Sequence, residues 1–224
     1  MKLKWYGHAS FRISSQDGVS IITDPFNPAT SGYKAFTEPA DIVIISSEND
    51  SFHCNEHLIP GSHITINALE LALNEGIRLE HGIEFRAVAA MEALNHREHD
   101  PDQNGMYRIN IDGVQIGHIG DVGNPLTETQ LEFFEGIDVL LALAGGHPTL
   151  ELSDLEKMID HVKPKLVVPM HFRTLTYKPR NMFWITNFLE LFNDSDVDFA
   201  CSSEVEITPA SLPNKTRVLI VDYV

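Results

Sequence analysis

Val114-Gln115-Ile116-Gly117-His118-Ile119-Gly120-Asp121-Val122-Gly123 decides how this chain is built. Its first half is a short run of β-formers. Its second half sets histidine and aspartate among glycines, where a chain leaves a strand. Just upstream, residues 106–111 read as a second strand, joined to the first at Asp112-Gly113, a pair suited to a tight hairpin turn.

The same arrangement recurs along the chain. Residues 2–6 form a strand-like run ending in Gly7-His8; residues 19–23 end in Asp24 before Pro25; residues 166–170 end in His171. Further strands are expected at 11–14, 41–46, 85–90, 138–143 and 218–224. Helices are expected at 67–74, at 127–134 with a Thr127/Gln130 capping box, at 153–162 with Ser153 as cap, and at 181–192. Strands first and strand–helix alternation later predict an α/β (α+β) fold of two sheets with helices packed outside. No linker, repeat or low-complexity segment divides residues 1–224, so one domain is expected.

Composition narrows the function classes. Of 224 residues, 43% are hydrophobic and 21% charged, ordinary for a globular protein. No stretch is apolar for the length a membrane span needs. Residues 1–5 enter a strand directly, without an apolar signal core, and the two cysteines, Cys54 and Cys201, read as reduced thiols. A cytoplasmic protein is expected. The 16 basic against 32 acidic residues give a formal charge of −16, which disfavours a nucleic-acid partner. A small-molecule substrate is the expected partner, and neither membrane nor nucleic acid is.

Four strand ends that deliver His or Asp are the pattern of a metal site built on the edge of a sheet, since imidazole and carboxylate suit Zn²⁺, Mn²⁺ or Fe²⁺. Gly7-His8-Ala9-Ser10-Phe11, Thr23-Asp24-Pro25-Phe26, the Gly117–Gly123 stretch and Val168-Pro169-Met170-His171-Phe172 occur in this order. Together, over roughly residues 1–174, they resemble the small metal-dependent hydrolases of the metallo-β-lactamase superfamily, in the branch similar to ascorbate-6-phosphate lactonase. The resemblance implies a four-layer αββα sandwich with a dinuclear metal site at the lip between the sheets. It also implies that Asp121 bridges the metals and that His171 binds the second. A further ligand would come from the loop before the Gly-Asp strand, where His96 and His99 compete; His96 is preferred as nearer the strand at 85–90. His8 and Asp24 would orient ligands or line the cleft, with His118 nearby in the same motif. His147 and Thr149 lie in a loop that would border the substrate.

One loop departs from the family. After the strand at 41–46 the family carries His-x-His-x-Asp-His; this chain has Ser47-Glu48-Asn49-Asp50-Ser51-Phe52-His53. In the preferred register the four positions become Glu48, Asp50, Phe52 and His53. A one-residue shift gives Ser47, Asn49, Ser51 and Phe52, which leaves no strong ligand. The first register implies an oxygen-rich site of Glu48, Asp50, His96 and Asp121, beside a second of His53, Asp121 and His171. The expected function is a hydrolase that activates water on one or two divalent ions (Zn²⁺, Mn²⁺ or Fe²⁺), with Asp121, His171 and Asp50 closest to the chemistry. Its substrate would be a small lactone, ester or phosphoester. The alternative is a metal-free, non-catalytic relative that keeps the fold for binding or structure.

Overall fold

The computed structural model describes residues 1–48, 52–92 and 103–224. In chain order the elements are β1 (Lys2–Gly7), β2 (Ser10–Ser14), β3 (Ser20–Thr23), α1 (Pro28–Ser31), β4 (Ile42–Ile45), β5 (Ile64–Asn67), α2 (Ala68–Leu73), β6 (Ile77–Glu80) and β7 (Ile83–Ala90). There follow β8 (Asn104–Ile111), β9 (Val114–His118), α3 (Glu128–Phe133), β10 (Val139–Leu143), α4 (Leu152–Val162), β11 (Leu166–Met170), α5 (Ile185–Leu189), β12 (Val197–Phe199), β13 (Glu204–Glu206) and β14 (Arg217–Ile220).

Two sheets result, one in the order β13-β1-β2-β3-β4-β5, the other β12-β14-β11-β10-β9-β8-β7-β6. Alternation along the first sheet explains the layering. Leu3, Trp5, Ile13, Ile21, Ile42 and Ile44 enter the core shared with the second sheet. Tyr6, Ile22, Val43 and Ile45 face the other way, onto Phe26, Tyr33, Phe36 and Met182. That outer layer is mostly the loop around α1. Over the second sheet, α4 buries Leu155, Met158, Ile159 and Val162. The two-sheet sandwich with helices outside is therefore the architecture expected.

Direction places the functional edge. β1, β2 and β3 run antiparallel in turn, and β3–β4 is parallel, so β1, β3 and β4 all end on one edge. β9, β10 and β11 are mutually parallel and end together as well. Ligands of such sheets bind beyond the carboxyl ends of the strands. Four hydrogen bonds stitch that edge: Trp5 Nε1 and His171 N donate to His8 O at 3.0 and 3.1 Å, His118 Nε2 donates to Ala9 O at 3.0 Å, and Gly105 N donates to Ser46 O at 2.8 Å.

Several local expectations need correction. Asn181–Met182–Phe183–Trp184 do not join the late helix, because Phe183 N donates to Gly145 O and Phe183 O accepts from Arg173 N. With those groups engaged, only Ile185–Leu189 is helical. Ser153 is not the cap of α4; Glu151 is, without a side-chain bond, since its carbonyl already accepts from Asp154 and Leu155. β14 stops at Ile220 because Asp222 N and Val224 N turn to Ser202 O and Trp5 O. The Thr127/Gln130 capping box is present, and the hairpin at Asp112-Gly113 has both residues at positive φ (52° and 77°). No disulfide joins Cys54 and Cys201. No described helix is long and apolar enough to cross a membrane.

Candidate metal centre

Three of the strand-end residues sit in the left-handed region: His8 at φ 51°, Asp24 at 37° and His171 at 56°. That conformation costs an L-residue about 1–2 kcal/mol. Here it turns each side chain sharply off its strand, toward the gap between the sheets.

Asp24 is fully buried and acts as a hub. One oxygen accepts from Ser46 N at 2.7 Å; the other accepts from Ser46 Oγ at 2.7 Å and faces His53 Nδ1 at 3.2 Å. A carboxylate at Nδ1 keeps the proton there and leaves Nε2 as the lone-pair nitrogen. His53 Nε2 faces Asp121 Oδ2 at 3.4 Å, and His171 Nε2 faces Asp121 Oδ1 at 3.0 Å. Burial pushes the Asp121 carboxyl upward, but His53 and His171 more than offset it and hold the group well below its ordinary value.

Asn104 positions this aspartate. Fully buried at the start of β8, it accepts from Asp121 N at 2.9 Å and donates to Ile119 O at 3.1 Å. Gly120, at φ 60°, lies where a Cβ would strike the Asn104 amide and Ser46. His118 is committed to structure. Gly120 N donates to its Nδ1 at 2.9 Å, its Nε2 donates to Ala9 O, and its ring stacks on Tyr107 at 4.8 Å. Burial lowers its pKa, against the opposing pull of Asp24.

The imidazoles of His8, His53 and His171 converge, with one ligand atom from each lying within 4.8 Å of the others. Nδ1 of His8 and Nδ1 of His171 are buried without a hydrogen-bond partner among the described residues. Burial, and then the neighbouring His171 and His53, push His8 well below its ordinary pKa, so its ring is neutral. Three imidazoles beside an ionised carboxylate are donors that fit a divalent transition-metal ion.

The expected residues divide clearly. His53, Asp121 and His171 come together, with Asp24 behind His53; His8 joins the cluster itself. Glu48 does not. Asn67 caps α2 with its Oδ1, which frees its Nδ2 to donate to Glu48 Oε1. Glu48 thereby lines a groove with Glu56, Glu70 and Glu75 that shares no residue with the cavity beside His171. His147 is exposed and stands 3.9 Å from Glu151. Thr149 is buried, donates to Gly146 O at 2.9 Å, and lines the cavity. Asp50, His96 and His99 lie outside the described residues. Ser46 and Asn104 escaped the sequence reading, as did Glu92, a buried carboxylate that accepts from Ser47 Oγ at 2.9 Å.

That cavity, about 150 Å³, is bounded by Phe52, Pro148, Tyr177, Pro179 and Met182 as well as His8, Asp121 and His171. Among the described residues, no Lys or Arg lines it. Phe52 stacks on the His8 ring at 5.2 Å.

The chain is similar to several known proteins. It is 26% identical over 183 residues to a UPF0173 protein of Pyrococcus abyssi, covering 78% of this chain and 84% of that one. A UPF0173 metal-dependent hydrolase of Thermoplasma acidophilum is 27% identical, with 78% and 84% covered. Among solved structures, a protein of Thermotoga maritima named as a Zn-dependent hydrolase of the metallo-beta-lactamase superfamily superposes at a TM-score of 0.77. It is 25% identical, over 100% of this chain and 99% of that one. The fold also matches a protein of Parabacteroides distasonis named as a metal-dependent hydrolase, at a TM-score of 0.68 and 17% identity, over 99% and 93%. The beta-lactamase superfamily domain model matches residues 2–171, and the chain belongs to that family.

Proposed function

We propose that the protein is a metal-dependent hydrolase acting on a small lactone or ester, with its ion held by His53, His171 and Asp121. The convergence of those three side chains at one buried point carries this reading, and relatives named as metal-dependent hydrolases agree with it. A bound divalent ion would supply a water of lowered pKa and polarise the scissile oxygen.

The chain's own residues do the rest. Asp24 keeps the His53 proton on Nδ1, away from the site. Asn104 fixes the backbone that aims Asp121, whose carboxylate stays ionised. Phe52, Tyr177 and Met182 exclude bulk water on one side of the cavity. Within the expected substrate class, a lining whose described residues include no cationic side chain favours a neutral acyl group over a phosphoester. Phe52 lines this cavity, which supports the register that sets it in place of the motif aspartate; Asp50 and His96 remain proposed ligands. The net charge of −16 supports a small-molecule rather than a nucleic-acid partner, in the cytoplasm.

A non-catalytic relative is the second reading. The cavity size favours it, since about 150 Å³ is below the roughly 300–1,000 Å³ of ordinary ligand pockets.

Elemental analysis after separate loading with Zn²⁺ and Mn²⁺, followed by assays on lactones, p-nitrophenyl acetate and p-nitrophenyl phosphate, tests the proposal. Bound metal with turnover of an ester or lactone, both lost in Asp121→Ala and His171→Ala, is expected. Less than about a tenth of an equivalent of either metal would leave the second reading.

A further inference from the structure

We propose that His8 is itself a ligand of the ion, making the centre a nitrogen-rich site of three imidazoles (His8, His53 and His171) and the Asp121 carboxylate. The inference rests on the reading of this edge as a metal centre and departs from the family pattern, in which His8 would only support other ligands.

A supporting histidine shows itself by its hydrogen bonds, as His118 does here with both ring nitrogens engaged. His8 differs. It is 2% exposed, and its Nδ1 has no hydrogen-bond partner among the described residues. Burying an unpaired polar atom costs stability, and the left-handed backbone at φ 51° adds to that. Such costs concentrate where another interaction repays them, and a cation shared with His53 and His171 is the interaction this geometry offers.

The ring is also held in place. The carbonyl of His8 accepts from Trp5 Nε1 and His171 N, so its backbone is tied to both sheets. Its imidazole packs against both Phe52, at 5.2 Å, and Tyr177, at 5.3 Å, with interplanar angles of 27° and 35°. The His171 ring stands 3.8 Å from it and the His53 ring 5.0 Å. Phe52 therefore has a function where it stands. It cannot ligate, but it sets the orientation of an imidazole delivered from β1, which fills the ligand place that the motif aspartate would have held. The donor set then favours Zn²⁺ chemistry, in contrast to the oxygen-rich site implied by Glu48, whose carboxylate is bonded to Asn67.

The test reads binding, independently of turnover. Zn²⁺ titrations of the wild type, His8→Ala and His8→Gln would be paired with ¹⁵N-histidine NMR of the wild type and with Co²⁺ absorption spectra. The expected result is a ring-nitrogen shift of His8 on Zn²⁺ addition, along with those of His53 and His171. Zn²⁺ affinity should fall by about 100-fold or more in both variants, with a changed cobalt spectrum. A wild type that binds Zn²⁺ with His8 nitrogens unmoved overturns the inference, as do variants with unchanged affinity and spectrum; both outcomes leave the hydrolase reading intact. A wild type that binds neither Zn²⁺ nor Co²⁺ overturns both. If His8→Ala and His8→Gln fail to fold, the wild-type NMR shift alone decides.

Discussion

Asp24 meets His53 at Nδ1, 3.2 Å away, and so decides which nitrogen of His53 faces Asp121. Few contacts link the fold to the chemistry so directly. The same carboxylate accepts both the amide and the hydroxyl of Ser46 at the end of β4, so one side chain closes β3, closes β4 and sets a tautomer.

Replacing it tests that linkage. In Asp24→Asn the amide cannot accept at both positions, and His53 is released to carry its proton on Nε2. Zn²⁺ affinity should fall 10- to 100-fold, and folding stability should drop by about 1–3 kcal/mol as a buried donor loses its acceptor. Titration calorimetry and urea denaturation read the two effects separately. Unchanged affinity in a folded variant would show that His53 needs no orienting partner.

Asn104→Ala probes the other clamp. The substitution leaves the Asp121 amide and the Ile119 carbonyl unpaired in a fully buried turn. A loss of about 2–4 kcal/mol is expected, seen as a lower urea midpoint at constant slope. Metal binding should weaken too, since the aspartate's backbone is no longer fixed. A variant as stable as the wild type would mean that water or rearrangement replaces the amide.

The strand ends were legible because a polar ligand after an apolar run, followed by Pro or Gly, is a local pattern. What escaped was set at long range. Asn104 matters only because β8 and β9 pair and bring it to Asp121, and Glu48 is drawn aside by Asn67, which itself is directed by the cap it supplies to α2. β6 escaped for a different reason. Ile77 and Leu79 alternate as a strand should, yet they are 46% and 68% exposed, so their pattern reports no core. The anomalous loop was legible as an anomaly, but the imidazole beside Phe52 comes from β1, more than forty residues earlier in the chain.

Acid should destabilise the metal-free protein through His118. Its folded pKa lies below the ordinary value, so the unfolded chain binds the extra proton first as pH falls. Stability is therefore fully present above about pH 6.5 and declines below it. The loss is at most about 1.4 kcal/mol per such histidine between pH 7.5 and 5.5, the limit for a folded form that never takes the proton. His8, lowered in the same direction, adds to the slope. Denaturation in the presence of a chelator should show this decline, and His118→Gln should remove about one histidine's share. A profile flat to pH 5.5 would mean that the folded state accepts the proton on Nδ1, despite the Gly120 amide that points at it.

Phe52→Asp asks whether the loop still stands in the family register. The ring lines the cavity with His8 and His171, where a carboxylate would reach the same space. Removing it should cost about 2 kcal/mol for a partly buried aromatic, and Phe52→Ala carries that cost without adding a ligand. The difference between the two variants isolates the carboxylate. Phe52→Asp should hold divalent ions more tightly than Phe52→Ala, with the larger gain for Mn²⁺, because the added donor is oxygen. Equal affinities in the two variants, measured by titration with each metal, would place residue 52 outside the ligand shell and count against the register that sets it in place of the motif aspartate.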